Sequence, residues 1–174
     1  EGFCMLNDQA IGANYVLRNE KANKVLIIDL DVHQGNGTAE IFKNDSRVFT
    51  FSMHGAKNYP IRKEKSDLDI GLEDGCKDED YLALLIKHLS VVIKKFSPDF
   101  IFYQAGVDVL ATDKLGRLGL TKAGCKRRDQ YVLEFAQREQ IPSVVCTGGG
   151  DSPNIKDIIE AHANTFKIAQ QIFL

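Results

Sequence analysis

Lys24-Val25-Leu26-Ile27-Ile28-Asp29-Leu30-Asp31-Val32-His33-Gln34-Gly35-Asn36-Gly37-Thr38 carries three signals in succession. Residues 24–30 form an apolar run too short for a typical helix and without the alternation of a half-exposed strand, which suits a strand buried on both faces of a parallel sheet. Acidic residues and a histidine gather at its end. Gln34–Thr38 then makes a tight glycine-containing turn into a helix, and glycine supplies the backbone freedom such a turn needs.

The same pattern recurs along the chain. Further short apolar runs lie at Val48–Met53, Phe100–Gln104 and Ser143–Thr147, and the reading gives these four as the strands. Between them, Gln9–Arg18, Asp80–Phe96, Thr121–Gln140 and Ile155–Phe173 space apolar residues by three and four, as helices do. In Asp80–Phe96 the stripe is Leu82, Leu85, Ile86, Leu89, Ile93 and Phe96. Ser152 is placed as the cap and Pro153 as the first residue of the last helix. Strand–helix alternation of this kind predicts an α/β fold, three-layered around a central, mainly parallel sheet. No repeat or linker divides the chain, so residues 1–174 are read as a single domain. In such sheets ligands bind beyond the carboxyl ends of the strands. The polar clusters Asp29–His33, Asp108 and Gly148-Gly149-Gly150 all fall there.

Composition narrows the function classes. With 22 basic and 24 acidic residues in 174, the formal charge is −2, which gives no bulk attraction to nucleic acid or anionic lipid. The basic runs Arg62-Lys63-Glu64-Lys65 and Lys126-Arg127-Arg128 read as solvated surface. Cys4, Cys76, Cys125 and Cys146 form neither a C-x-x-C pair nor a zinc-ribbon spacing, so they read as free thiols in a reducing compartment. No apolar run approaches membrane-spanning length and no signal-peptide pattern opens the chain. The expected location is the cytoplasm, or the nucleus if the source is eukaryotic. Oligomeric state is not legible.

Asp31 and His33 stand two apart at a strand end, where extended backbone would project both to one side. Asp108, following Gln104-Ala105-Gly106-Val107, is the natural third ligand. One imidazole and two carboxylates balance a divalent cation and leave a coordination position open, as catalytic zinc sites do. Taken alone, an Asp-x-His pair is also a common strand-end polar pair. His54 follows a strand, whereas His88 and His162 read as ordinary helix residues.

Taken together, Asp29-Leu30-Asp31-Val32-His33-Gln34-Gly35-Asn36-Gly37-Thr38 closely resembles the zinc-binding segment of the histone deacetylase family. Its Gln-Gly-Asn variant is most similar to the class IV branch and bacterial relatives. Gly2-Phe3-Cys4 with Asn7-Asp8, Ala105–Leu110, Asp113–Gly116 and Gly148–Gly150 agree, in order, over essentially the whole chain. The resemblance implies an arginase/deacetylase fold, and zinc bound by Asp31, His33 and Asp108. It implies that Asp29 and Asn36 orient the family's paired catalytic histidines, and that Gly2, Phe3, Tyr59, Leu115 and Gly149 line a narrow tunnel for the substrate. That substrate would be an acylated lysine or an acylated small amine. The backbone of Asp29, Asp31 and His33, with Ser52 and Met53, resembles a monovalent-cation site, so potassium is an implied structural ion.

Two departures qualify the expected activity. The family's histidine pair falls before Glu1, so the N-terminal part of the fold is expected to be missing and the chain to be inactive alone. Asp151 stands where the family places a tyrosine. A carboxylate there repels the oxyanion that a phenol would stabilise, and the plainer reading is that Asp151 helps start the Ser152-Pro153 helix. The expected function is zinc-dependent deacylation, with a non-catalytic metal- or acyl-lysine-binding pseudoenzyme as the alternative. A two-metal ureohydrolase ranks below both, because Gly35 stands where another acid would be wanted.

Overall fold

The computed structural model describes residues 4–174. Its five strands are β1 Val25–Asp29, β2 Val48–Gly55, β3 Leu68–Leu72, β4 Phe100–Ala105 and β5 Ser143–Thr147, and its helices are α1 Asp8–Arg18, α2 Asn36–Phe42, α3 Asp78–Phe96, α4 Lys122–Arg138 and α5 Ile155–Phe173. The strands form one sheet in the order β3-β2-β1-β4-β5, parallel at every pairing.

β1 lies at the centre, and its side chains go alternately to two cores. Val25 and Ile27 pack with Ala10, Ala13, Val16 and Leu17 of α1 and Phe42 of α2. Leu26 and Ile28 face Leu85 and Leu89 of α3, Val132 and Phe135 of α4, and Ala161 of α5. The expected three layers follow directly. A strand walled by helices on both sides needs an unbroken apolar run, as the sequence reading inferred.

Several local expectations are corrected. The described residues form five strands; β3 escapes a reading of apolar runs because Asp69 and Gly71 interrupt it, and only Leu72 in it is fully buried. β5 is not buried on both faces but is a half-exposed edge. The buried stripe of α3 is Tyr81, Leu82, Leu85, Leu89, Val92 and Ile93, with Ile86 turned to solvent at 45% exposure. The last helix is capped by Asn154, whose side chain accepts from the Lys156 amide. Ser152 instead pairs its hydroxyl with Thr112 at 2.8 Å, so neither it nor Asp151 starts the helix.

The basic run of α4 divides by helical phase, since consecutive residues turn to different faces. Arg127 is exposed and paired with Glu79 at 2.6 Å, whereas Arg128 is wholly buried beside Asp129. Reading both as solvated surface is therefore wrong for Arg128. Among the described residues no helix is long and apolar enough to cross a membrane.

Leu89 is fully buried under the sheet, in contact with the larger core. Leu89→Ala is expected to destabilise by about 2–5 kcal/mol, read by urea unfolding. A loss under about 1 kcal/mol would show that α3 is not packed as described.

Candidate metal centre

After β1, the chain builds outward through β2 and β3 before returning to place β4 on the other side of β1. The ends of β1 and β4 therefore diverge at the point where the strand order reverses, which opens a crevice. Asp31 and His33 follow β1, and Asp108 follows β4.

The backbone beyond β1 bends rather than continuing as pleated strand. Asp29 Oδ1 accepts the Asp31 amide at 3.1 Å, and Asp31 Oδ1 accepts the His33 amide at 2.9 Å. Each is a side chain closing on the amide two residues ahead, the Asx-turn habit of aspartate. Asp31 and His33 converge through these turns, not through strand alternation as the sequence reading supposed. Asp108 completes the group from β4. Its Oδ1 accepts the Val32 amide at 2.9 Å, and its Oδ2 stands 3.1 Å from His33 Nδ1, which is also 3.0 Å from Asp31 Oδ1.

This arrangement shifts the ionisations. Burial pushes the Asp108 carboxyl up to about 7 against its hydrogen bond with His33, and the neighbouring charge of Asp31 adds to the rise. Burial also works against ionisation of Asp31, but hydrogen bonds from His33 and the Gly149 amide outweigh it and hold the group low. Hydrogen bonds to Asp108 and Asp31 raise His33 to about 10. Asp29 is pushed well above the carboxylate range by burial, then by the charge of Asp31. Two carboxylates crowded into a buried site need a positive partner, which a proton on His33 provides in this form and a cation can replace.

The donors fit a divalent transition ion. The ligand atoms of Asp31, His33 and Asp108 all lie within 4.8 Å of one another, and the mixture of one imidazole with two carboxylates suits zinc better than the all-oxygen shells of calcium or magnesium. Gly149 closes one side: its amide donates to Asp31 Oδ2 at 2.8 Å, and a Cβ added there would lie 2.1 Å from Asp108 Oδ2. Only glycine fits so close to both carboxylates. A Cβ on Gly35 would lie 2.3 Å from Asp29 Oδ2, so there is no room for the extra acid of a two-metal site.

The other expected residues are distributed around this centre. Asp29 and Asn36 line a recess on the α1–α2 side with Asn7, Gln9, Gln34 and Gln104. Tyr59 is 50% and Leu115 48% exposed. Their loops are tied by buried Asn58, which donates to the Leu115 carbonyl at 2.8 Å. Asp151 is exposed, its amide donating to Asp113 Oδ2 at 2.5 Å, and Asp113 Oδ1 also accepts the amides of Leu115 and Gly116. Gly2 and Phe3 lie outside the described residues. Ser52 is in register with Asp29, with its hydroxyl 2.9 Å from His54 Nδ1, while Met53 is buried in the larger core.

Sequence reasoning missed Asn58, Asp113 as a clasp, and Gln34, whose amide spans from the ligand segment to the Glu64 carbonyl and Asp69 Oδ1. Gln34 sits directly after His33, and that adjacency was its only available signal.

Comparison with known proteins agrees with this geometry. The histone deacetylase domain family matches residues 1–166. An uncharacterized protein of Picosynechococcus sp. is 43% identical over 172 residues, covering 99% of this chain and 57% of that protein. Histone deacetylase 2 of Arabidopsis thaliana is 34% identical over 152 residues, covering 86% and 39%. The crystal structure of the HDA15 HD domain superposes with a TM-score of 0.81 at 29% identity, covering 98% of this chain and 52% of that one. The chain thus spans about half the length of the relatives it matches. With strand order, ligand positions and sequence in agreement, the chain belongs to the histone deacetylase domain family.

Proposed function

We propose that this chain carries the zinc centre of an amide hydrolase that removes the acyl group from an acylated lysine or a related acylated small amine. The observation that carries the proposal is the convergence of Asp31, His33 and Asp108 at the strand-order reversal of a deacetylase-family domain. The chemistry zinc supplies when bound there is Lewis acidity toward the amide carbonyl and activation of water near neutral pH. Asp31, His33 and Asp108 are the holding residues, and Gly149 keeps their approach side free of any side chain. Tyr59 and Leu115 are proposed walls of the substrate tunnel, supported by the bond through Asn58 that joins their loops. Gly2 and Phe3 are proposed to continue those walls. Asp29 and Asn36 are proposed to orient the catalytic base, supported by their shared recess and by the burial of Asp29.

The domain is proposed to run over residues 1–174 as one unit. A structural potassium ion near Asp29 and Ser52, which pair across β1 and β2, is part of the proposal. The cytoplasm remains the proposed compartment, supported by four free thiols. No nucleic-acid or membrane partner is proposed. A second reading, a non-catalytic acyl-lysine-binding module, is favoured by one observation: Asp151, two residues after Gly149, is an exposed carboxylate where the resemblance implies a phenol.

Elemental analysis of the purified protein is expected to find about one zinc per chain, as in a single catalytic site. Asp108→Asn, which retains an acceptor for the Val32 amide, is expected to lose it. No zinc in the unaltered protein would remove the proposal.

Because His33 holds a proton up to about pH 10 without the ion, the ion must displace it. Zinc affinity should therefore strengthen as pH rises toward that value, with release near neutrality of the His33 proton and part of a second from Asp108. Calorimetry in buffers of different ionisation enthalpy measures this release, and a buffer-independent enthalpy would contradict it.

In a protein that joins this chain to the family's histidine pair, Asp151→Tyr is expected to raise deacylation by about 10²–10³-fold, the usual worth of one oxyanion donor. Steady-state assays on acetyl-lysine, longer acyl-lysine and acetylpolyamine substrates read it. Absence of zinc-dependent turnover in both forms would leave the binding module as the function.

A further inference from the structure

Arg128 is the largest fully buried side chain among the described residues, and it lies outside the Asp31, His33 and Asp108 group. Its Nη1 donates to two carbonyls at once, Leu30 at 3.1 Å and Gly106 at 2.6 Å. Leu30 immediately precedes Asp31 at the end of β1, and Gly106 lies two residues before Asp108 at the end of β4. The two strands are still joined by the Leu30 amide donating to the Gln104 carbonyl. Beyond that bond Gly106 packs against Asp31, where a Cβ would lie 2.9 Å from the Asp31 Cα, and the guanidinium ties the two segments together through their carbonyls.

The guanidinium is itself fixed. Its Nε donates to Asp129 Oδ1 at 2.8 Å, and Nη2 stands 2.7 Å from the same oxygen. Asp129, also fully buried, accepts the Tyr103 hydroxyl of β4 at 2.5 Å and the Thr165 hydroxyl of α5 at 2.6 Å. A planar fork held by a carboxylate on one side and two carbonyls on the other has little freedom to shift. Placing a charge in the core is costly, and such a group persists where its hydrogen bonds fix a particular geometry.

We propose that Arg128 is a positioning residue of the metal centre: by bridging the carbonyls of Leu30 and Gly106 it sets the separation of the two strand ends that carry Asp31 with His33 and Asp108. This rests on the zinc reading of that centre. Arg128 touches neither ion nor substrate and acts through the backbone of the ligands, as outer-shell partners of metal sites do.

The test compares the full chain with Arg128→Lys, titrated with cobalt(II) as a spectroscopic probe and with zinc in competition against a chromophoric chelator. Lysine keeps the charge, but its single shorter-reaching nitrogen cannot face Asp129 and both carbonyls together. With the folded fraction established by circular dichroism, metal affinity is expected to fall about 10–100-fold, and the visible cobalt band to change in intensity and position. A purely structural role would lower thermal stability and leave the affinity and band of the folded protein unchanged, which would overturn the inference. Should Arg128→Lys fail to fold, Thr165→Val removes one anchor of Asp129 and is expected to weaken metal binding in the same direction by a smaller factor. An unchanged affinity and band there would overturn the inference equally. Failure of the unaltered chain to bind either metal would instead remove the zinc reading, and this inference with it.

Discussion

The structure is organised around the convergence of two carboxylates, Asp31 and Asp108, on one imidazole nitrogen within 3.1 Å. Burial makes this arrangement costly. Asp108 is 2% exposed and resists ionisation, so both carboxylates can be charged together only beside a compensating positive charge. The surrounding backbone is arranged to make the negative charge tolerable. The amides of Val32, His33 and Gly149 all point at these oxygens.

That need for amides explains the irregular chain between strand and helix. Asp29 at the end of β1 and Asp31 just beyond it each turn the backbone onto itself, and α2 starts only once Gly35 has passed over Asp29. Glycine at 149 lets a third segment approach from β5. The rim loops are then hung on the same frame, Asn58 joining one to another and Gln34 linking the ligand segment to the chain near Glu64. A change at the ligands is therefore coupled to the entrance through a few buried amides rather than through a large apolar contact. Asp113 extends this frame to Asp151, whose amide donates to its carboxylate.

The sequence alone determined the α/β class, the three layers and four of the strands, and it pointed to the three side chains that the fold gathers at one rim. Its evidence was strong because both-face burial demands continuous apolar runs such as Val25–Ile28, and because residues that follow parallel strands must share one rim. It failed where a residue's neighbours come from elsewhere in the chain. β3 is a strand because it pairs with β2, not because Leu68–Leu72 is strongly apolar. Asn154, not Ser152, caps α5, since Thr112 claims the serine hydroxyl.

Arg128 is the sharpest case. In sequence it is the third member of a basic run beside an exposed Arg127; in the fold it is a fully buried charge, paired with the equally buried Asp129 and two strand carbonyls. Local pattern fixes which residue types stand at the strand ends. Only tertiary structure decides which distant carbonyls, amides and counter-charges meet them, because a buried polar group is tolerated solely where partners from other segments arrive to satisfy it.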